Sequence, residues 1–300
     1  MTGTARFKAV AFSLVFVFGG YVLALLVLAP LPFLVSRFRP SLLGATAIQS
    51  GALLLGYGVM TWVIGGKALR LTRADFERPA RGEGGAGGAG GAGGAAPKWS
   101  ALGWGFMVGT VMAAITMGLA VPLGRAGWSS DGGTLAGWVG ALALTGAVTL
   151  PAAFAEELAF RGVPLIAMSR AVGPVPALLV VSVLFGAAHL GNPGVTGLAI
   201  ANVTLAGVFL GLAFFTPGGL WTSTGAHFGW NLTLAGLAAP VSGIPVPMPW
   251  LDYAPGSPAW LTGGGFGPEG GVLATVLLAG GSVLAVRHRH RKEARAEWPR

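Results

Sequence analysis

The sequence predicts an all-α fold, a polytopic transmembrane helical bundle of about eight spans, and three observations predict it. Only 10% of the 300 residues are charged, whereas 53% are hydrophobic. Apolar runs of roughly 20 residues, long enough to cross a bilayer as a helix, recur along the chain. Nearly all of the basic residues lie between those runs or after the last of them.

Spans are expected at about 9–35, 42–66, 101–123, 135–169, 174–190, 197–215, 219–239 and 271–286. The first follows Arg6 and Lys8 and has no small-residue cleavage site, so it reads as a retained anchor. Together the first two form an N-terminal unit, 1–70. A cytoplasmic linker, 71–100, follows; its repeat GEGGAGGAGGAGGAA (82–96) cannot bury enough apolar surface to offset ordering entropy, so it should be flexible. The core extends over 101–286, and 287–300 is a basic tail. In the fourth span Pro151 should bend the helix. Gly207 and Gly211 in GVFLG suggest close helix packing, since small residues let backbones approach in lipid. Pro217-Gly218-Gly219 is the turn that opens the seventh span. The outer loop 240–270 is rich in Pro and Gly and holds Trp250 and Trp260; it either lies along the interface or folds back as a lid.

Charge gives the orientation. If the N-terminus is cytoplasmic, 16 Lys and Arg fall on that side and only Arg37, Arg39 and Arg125 on the other, so both termini are expected in the cytoplasm and the protein in the cell membrane. The net charge of +9 is then matched by anionic lipid headgroups, and no nucleic acid is expected as a partner. The chain has no cysteine, which excludes disulfides, thiolate nucleophiles and cysteine metal sites.

Against this background three polar clusters stand out, because an ionisable group in the bilayer is expensive and is by default a functional candidate. They are Glu156, Glu157 and Arg161 in AEELAFRG, His189 ending FGAAH, and His227 with Asn231 in HFGWN. Counting a continuous helix back from Arg170 puts Glu156 roughly 21 Å above the cytoplasmic edge, and counting forward from Pro174 puts His189 at roughly 22 Å. His227 and Asn231 fall at roughly 12 to 20 Å, so three helices deliver a carboxylate, two imidazoles and an amide to one layer. Glu157 and Arg161 are spaced i, i+4 with the acid first, the favourable order for a neutralising pair, and that pair reads equally well as structural glue. Glu156 points about 100° away and has no partner on its own turn. Phe185, one turn before His189, reads as packing; His288 and His290 read as headgroup-facing.

The spans contain no Asp, the chain contains no H-E-x-x-H, and no serine accompanies the histidines, so aspartyl, that zinc-helix and serine-triad chemistries are not supported. What remains is hydrolysis of a carbonyl compound. Either a glutamate acts as general base on water with His and Asn stabilising an oxyanion, or Glu156, His189 and His227 hold Zn2+ and its water.

E-E-x-x-x-R, F-x-x-x-H and H-x-x-x-N, in this order and topology, resemble the three motifs of the CPBP intramembrane proteases, also called Abi or type II CAAX prenyl proteases. The resemblance covers about 135–240 and implies a helical membrane endopeptidase acting on a peptide or protein at the membrane, lipidated in the CAAX case. It implies that Glu156 with His189 activates water, that His227 and Asn231 bind the oxyanion, and that Glu157 with Arg161 holds the site together. The family is described both as zinc-dependent and as metal-free, and the residues leave the same choice open. Two readings of other classes stand beside it: a proton-coupled transporter relaying protons through Glu156, His189 and His227, and a non-catalytic membrane scaffold. No second copy of the polar cluster, as repeated transporter halves would carry, is present.

Overall fold

The computed structural model describes residues 3–30, 41–77 and 98–297, with side chains at 5, 42 and 288–297 excepted. The glycine repeat of the linker, Arg37, Arg39 and the end of the first expected span lie outside the described residues, as do the side chains of most of the basic tail.

Helices occupy all eight expected regions. They are α1 (Gly3–Leu28), α2 (Leu42–Met60, continued by a π-helical turn to Ala68), α3 (Arg73–Glu77), α4 (Lys98–Gly124), α5 (Leu135–Phe160), α6 (Val163–Val172), α7 (Pro174–Ala187), α8 (Gly197–Phe214), α9 (Leu220–Gly236), α10 (Ala259–Thr262) and α11 (Val272–Glu297). Among the described residues five stretches are long and apolar enough to cross a membrane: Arg6–Leu28, Leu43–Ala68, Lys98–Gly124, Leu135–Val172 and Gly197–Phe214. The apolar parts of α7 (Pro174–Ala187) and α11 (Val272–Arg287) are shorter, so length does not establish the expected count of eight. The multi-pass helical class stands.

The fourth expected span is not one helix. Arg161 and Gly162 both donate their N–H to the Glu157 carbonyl, at 2.7 and 2.9 Å, and α6 starts afresh at Val163. The backbone leaves the helical path at Gly162, with ψ -123°, and Pro164, in the first turn of α6, has no N–H to give the Phe160 carbonyl. The helix count from Arg170 to Glu156 therefore passes through a corner, and its rise does not measure depth. Pro151, in contrast, sits inside α5.

Helix α4 lies against α9 at very short range. A Cβ at Gly105 or Gly109 would come within 2.1 and 2.0 Å of the Thr222 and Ala226 carbonyl oxygens. From the other side, a Cβ at Gly225 or Gly229 would come within 2.1 and 2.2 Å of the Leu102 and Phe106 carbonyl oxygens. Glycines on both faces thus set the separation of these helices. Gly207 and Gly211 do the same for α8, where a Cβ would meet Ser182 and Leu178 of α7.

The segment 240–270, expected as the outer loop, folds back on the bundle. Its strand β2 (Asp252–Ala254) pairs antiparallel with β1 (Gly127–Ser129), and the Gly243 N–H donates to the Phe266 carbonyl at 2.8 Å. Phe266 is buried in the main core, and two 3-10 turns, Gly264–Phe266 and Pro268–Gly270, lead into α11.

Candidate active site

Three elements meet at the polar layer. The end of α5 brings Glu156, Glu157 and Arg161; the turn after α7 brings His189; the middle of α9 brings His227 and Asn231. His189 lies just past its helix, in a turn where its N–H donates to the Gly186 carbonyl at 3.0 Å.

The two adjacent carboxylates have different surroundings. Glu157 and Arg161 have no exposed side-chain surface, and the Arg161 Nη1 donates to Glu157 Oε1 at 2.9 Å. The same Oε1 lies 2.9 Å from His227 Nδ1. A carboxylate already paired with arginine only accepts, so Nδ1 carries the proton of that bond and Nε2 is left as the second ring nitrogen. Arg161 Nη2 donates to the Gly207 carbonyl of α8 at 3.1 Å, and its guanidinium stacks 4.3 Å from the centre of the Phe185 ring. One buried arginine thereby joins α5, α7 and α8.

Glu156 is freer, with 34% of its side chain exposed, and its Oε2 lies 3.8 Å from His227 Nε2. That is too long for a direct hydrogen bond, and Oε2 itself is buried without a hydrogen-bond partner although the side chain as a whole is partly exposed. The two ring nitrogens of His227 thus face the two glutamates, one bonded and one not. The resemblance implied His189 as the partner of Glu156; the imidazole ion-pair contact that Glu156 makes is with His227.

His189 donates from Nδ1 to the Phe185 carbonyl at 2.8 Å, since a carbonyl only accepts, and this too leaves Nε2 as the open nitrogen. Phe185 packs, as expected, and does so against both imidazoles. Its ring centre is 4.9 Å from that of His189 and 6.0 Å from that of His227, and it meets Phe160 edge-on at 5.2 Å.

A cavity of about 40 Å³, room for two or three waters, is lined by His189, His227 and Asn231 together with Trp230, Ser242 and Glu269. The cavity thus joins His189 with the motif side chains of α9 between apolar walls from α8 and α11, whereas Glu156, Glu157 and Arg161 of the α5 end do not line it.

Glu269 was missed from sequence. It stands in a loop, GGFGPEGG, and only the fold carries its carboxylate to this cavity. The signal available was a lone acid among glycines immediately before the last apolar run.

Zinc requires several ligands at about 2 Å around one point. Among the described residues no three His, Asp or Glu side chains are grouped to hold a metal ion, so the set Glu156, His189 and His227 does not fit one in this arrangement.

Comparison with curated proteins and with solved structures gives no match. Residues 138–233 match the family model described as Rce1-like, type II CAAX prenyl endopeptidase Rce1-like. That stretch begins near the start of α5, ends just beyond Asn231 and holds every residue of the three motifs, so it is over this segment that the chain is similar to the CPBP/CAAX protease family.

Proposed function

We propose that the protein is an intramembrane endopeptidase that hydrolyses a peptide bond of a membrane-tethered, CAAX-like peptide or protein by activating water without a metal. The observation that carries this reading is the 3.8 Å approach of Glu156 Oε2 to His227 Nε2, with Nδ1 of the same ring held by Glu157 at 2.9 Å. A water touching both Glu156 and Nε2 has one carboxylate to take its proton and a ring whose orientation is already fixed.

The steps follow from these positions. Water attacks the scissile carbonyl carbon while Glu156 accepts its proton. The oxyanion that forms is held by the Asn231 amide, one helical turn from His227. When the tetrahedral centre collapses, the C–N bond breaks and the departing amine takes up the proton that Glu156 accepted. Glu157 and Arg161 touch neither water nor peptide; they hold the ring of His227 and tie α5 to α8. This assignment makes His227 the imidazole beside Glu156, where the resemblance implied His189. The charge bias supports both termini facing the cytoplasm of the cell membrane, with lipids surrounding the apolar helices.

The test is cleavage of a quenched-fluorescence peptide, lipidated and plain, by purified protein in proteoliposomes. Wild type is expected to cut the lipidated form faster, and Glu156→Gln to lose roughly 100-fold or more while melting as wild type does. Equal rates for Glu156→Gln and wild type would remove the assignment.

A further inference from the structure

The outer segment contributes a carboxylate to the catalytic cavity. Glu269, in the 3-10 turn Pro268–Gly270, accepts the indole N–H of Trp230 on Oε1 at 3.0 Å. Its Oε2 accepts the Ser242 hydroxyl at 2.9 Å and also the Ser242 backbone N–H. The turn itself is anchored from behind: the buried Asn202 of α8 donates to the Glu269 and Gly271 carbonyls at 2.8 and 2.9 Å, and Thr275 donates to Asn202 Oδ1 at 2.7 Å. On the far side, Asn192, three residues after His189, donates to the Ser242 carbonyl at 2.8 Å.

These bonds converge on the reacting groups. Trp230 is buried in α9 between His227 and Asn231, so what holds its indole holds the turn carrying both. Ser242 sits at the centre, linked to Glu269 on one side and to the turn after His189 on the other. A carboxylate with three donors is suited to this, because each oxygen accepts and neither needs to donate.

We propose that Glu269 is a positioning residue of the active site: through Trp230 and Ser242 it fixes the α9 turn bearing His227 and Asn231 against the turn bearing His189. This rests on the endopeptidase reading above. Glu269 neither takes a proton from the attacking water nor binds the oxyanion. Its substitution should therefore lower turnover while leaving substrate affinity in place. Gln cannot replace it, since the amide NH2 would face a donor where an acceptor is required.

The test measures kcat and KM with the lipidated peptide for wild type, Glu156→Gln, Glu269→Gln, Trp230→Phe and the Glu269→Gln/Trp230→Phe double variant, each checked for folding by thermal melting. Glu269→Gln and Trp230→Phe are each expected to lose about tenfold or more in kcat with KM within about twofold of wild type. The double variant should be no worse than the weaker single, because both break the same link. Ser242→Ala removes one donor and should lose a smaller share. If Glu269→Gln does not fold, wild-type kcat in both Trp230→Phe and Ser242→Ala overturns the proposal. It is also overturned by unchanged kcat in Glu269→Gln, by a rise in KM alone, or by losses that multiply in the double variant. Failure of the underlying reading is distinct: wild type then cuts no peptide, or Glu156→Gln cuts as fast as wild type.

Discussion

Replacing Gly109 by Ala tests whether the α4–α9 contact sets the geometry of the site. The new methyl carbon would lie 2.0 Å from the Ala226 carbonyl oxygen and 2.9 Å from the Trp230 nitrogen, both backbone atoms of α9 that cannot rotate aside. Bringing the first contact to an ordinary 3.4 Å requires the helices to separate by about 1.4 Å. Ala226 is the residue before His227, so the separation moves His227 relative to Glu156 and Glu157, which belong to α5. A misplacement of about 1 Å can cost 100-fold in rate, and overpacking of this kind costs about 1–3 kcal/mol in stability. The assay is peptide cleavage in proteoliposomes beside thermal melting in detergent. Gly118→Ala on the same helix serves as control, since nothing lies within 4 Å of a Cβ there. The expected result is a fall in kcat of roughly 100-fold for Gly109→Ala with the control unchanged. Wild-type kcat in Gly109→Ala would refute the reasoning, because the site would then tolerate a shift the geometry forbids.

Arg161→Met leaves the fully buried Glu157 carboxylate without its cation and should destabilise the protein by about 3–5 kcal/mol, read as a lowered melting temperature; unchanged melting would count against the pair as the anchor of α5. Glu157→Gln should lower both stability and kcat, whereas Glu156→Gln should lower kcat alone, and comparing melting with turnover for the two separates their roles. Dialysis against a chelator should leave cleavage intact; loss restored by added Zn2+ would instead place a metal in the site.

The residue types and their order were readable in the sequence because lipid makes each buried ionisable group conspicuous. Counting helical rise matched Glu156 to His189, but the count ran through the break at Gly162, and the imidazole 3.8 Å from Glu156 is that of His227. The corner after Arg161 was within reach, since Pro164 announces it, but the apolar pattern runs through Pro164 without a gap and so reads as one span. Glu269 was out of reach for a different reason. Its partners Trp230 and Ser242 are 39 and 27 residues away, and no local pattern links a loop acid to an indole on another element.

Adjacent glutamates differ by one step of helix rotation, so the division of labour between Glu156 and Glu157 is decided by how α5 is turned toward α9. In this fold that rotation is fixed from two sides. Arg161 reaches past Glu157 to the Gly207 carbonyl of α8, which points the Glu157 side of α5 inward. The glycines of α4 and α9 then press α9 to a fixed distance, so that His227 meets Glu157 directly and Glu156 only across a gap. The gap is the chemically useful feature. A 3.8 Å approach leaves every acceptor site of the Glu156 carboxylate free of the ring, while the bond from Nδ1 to Glu157 keeps that ring still. On the proposed mechanism, the glycines far from the chemistry are therefore as much a condition of turnover as Glu156 itself.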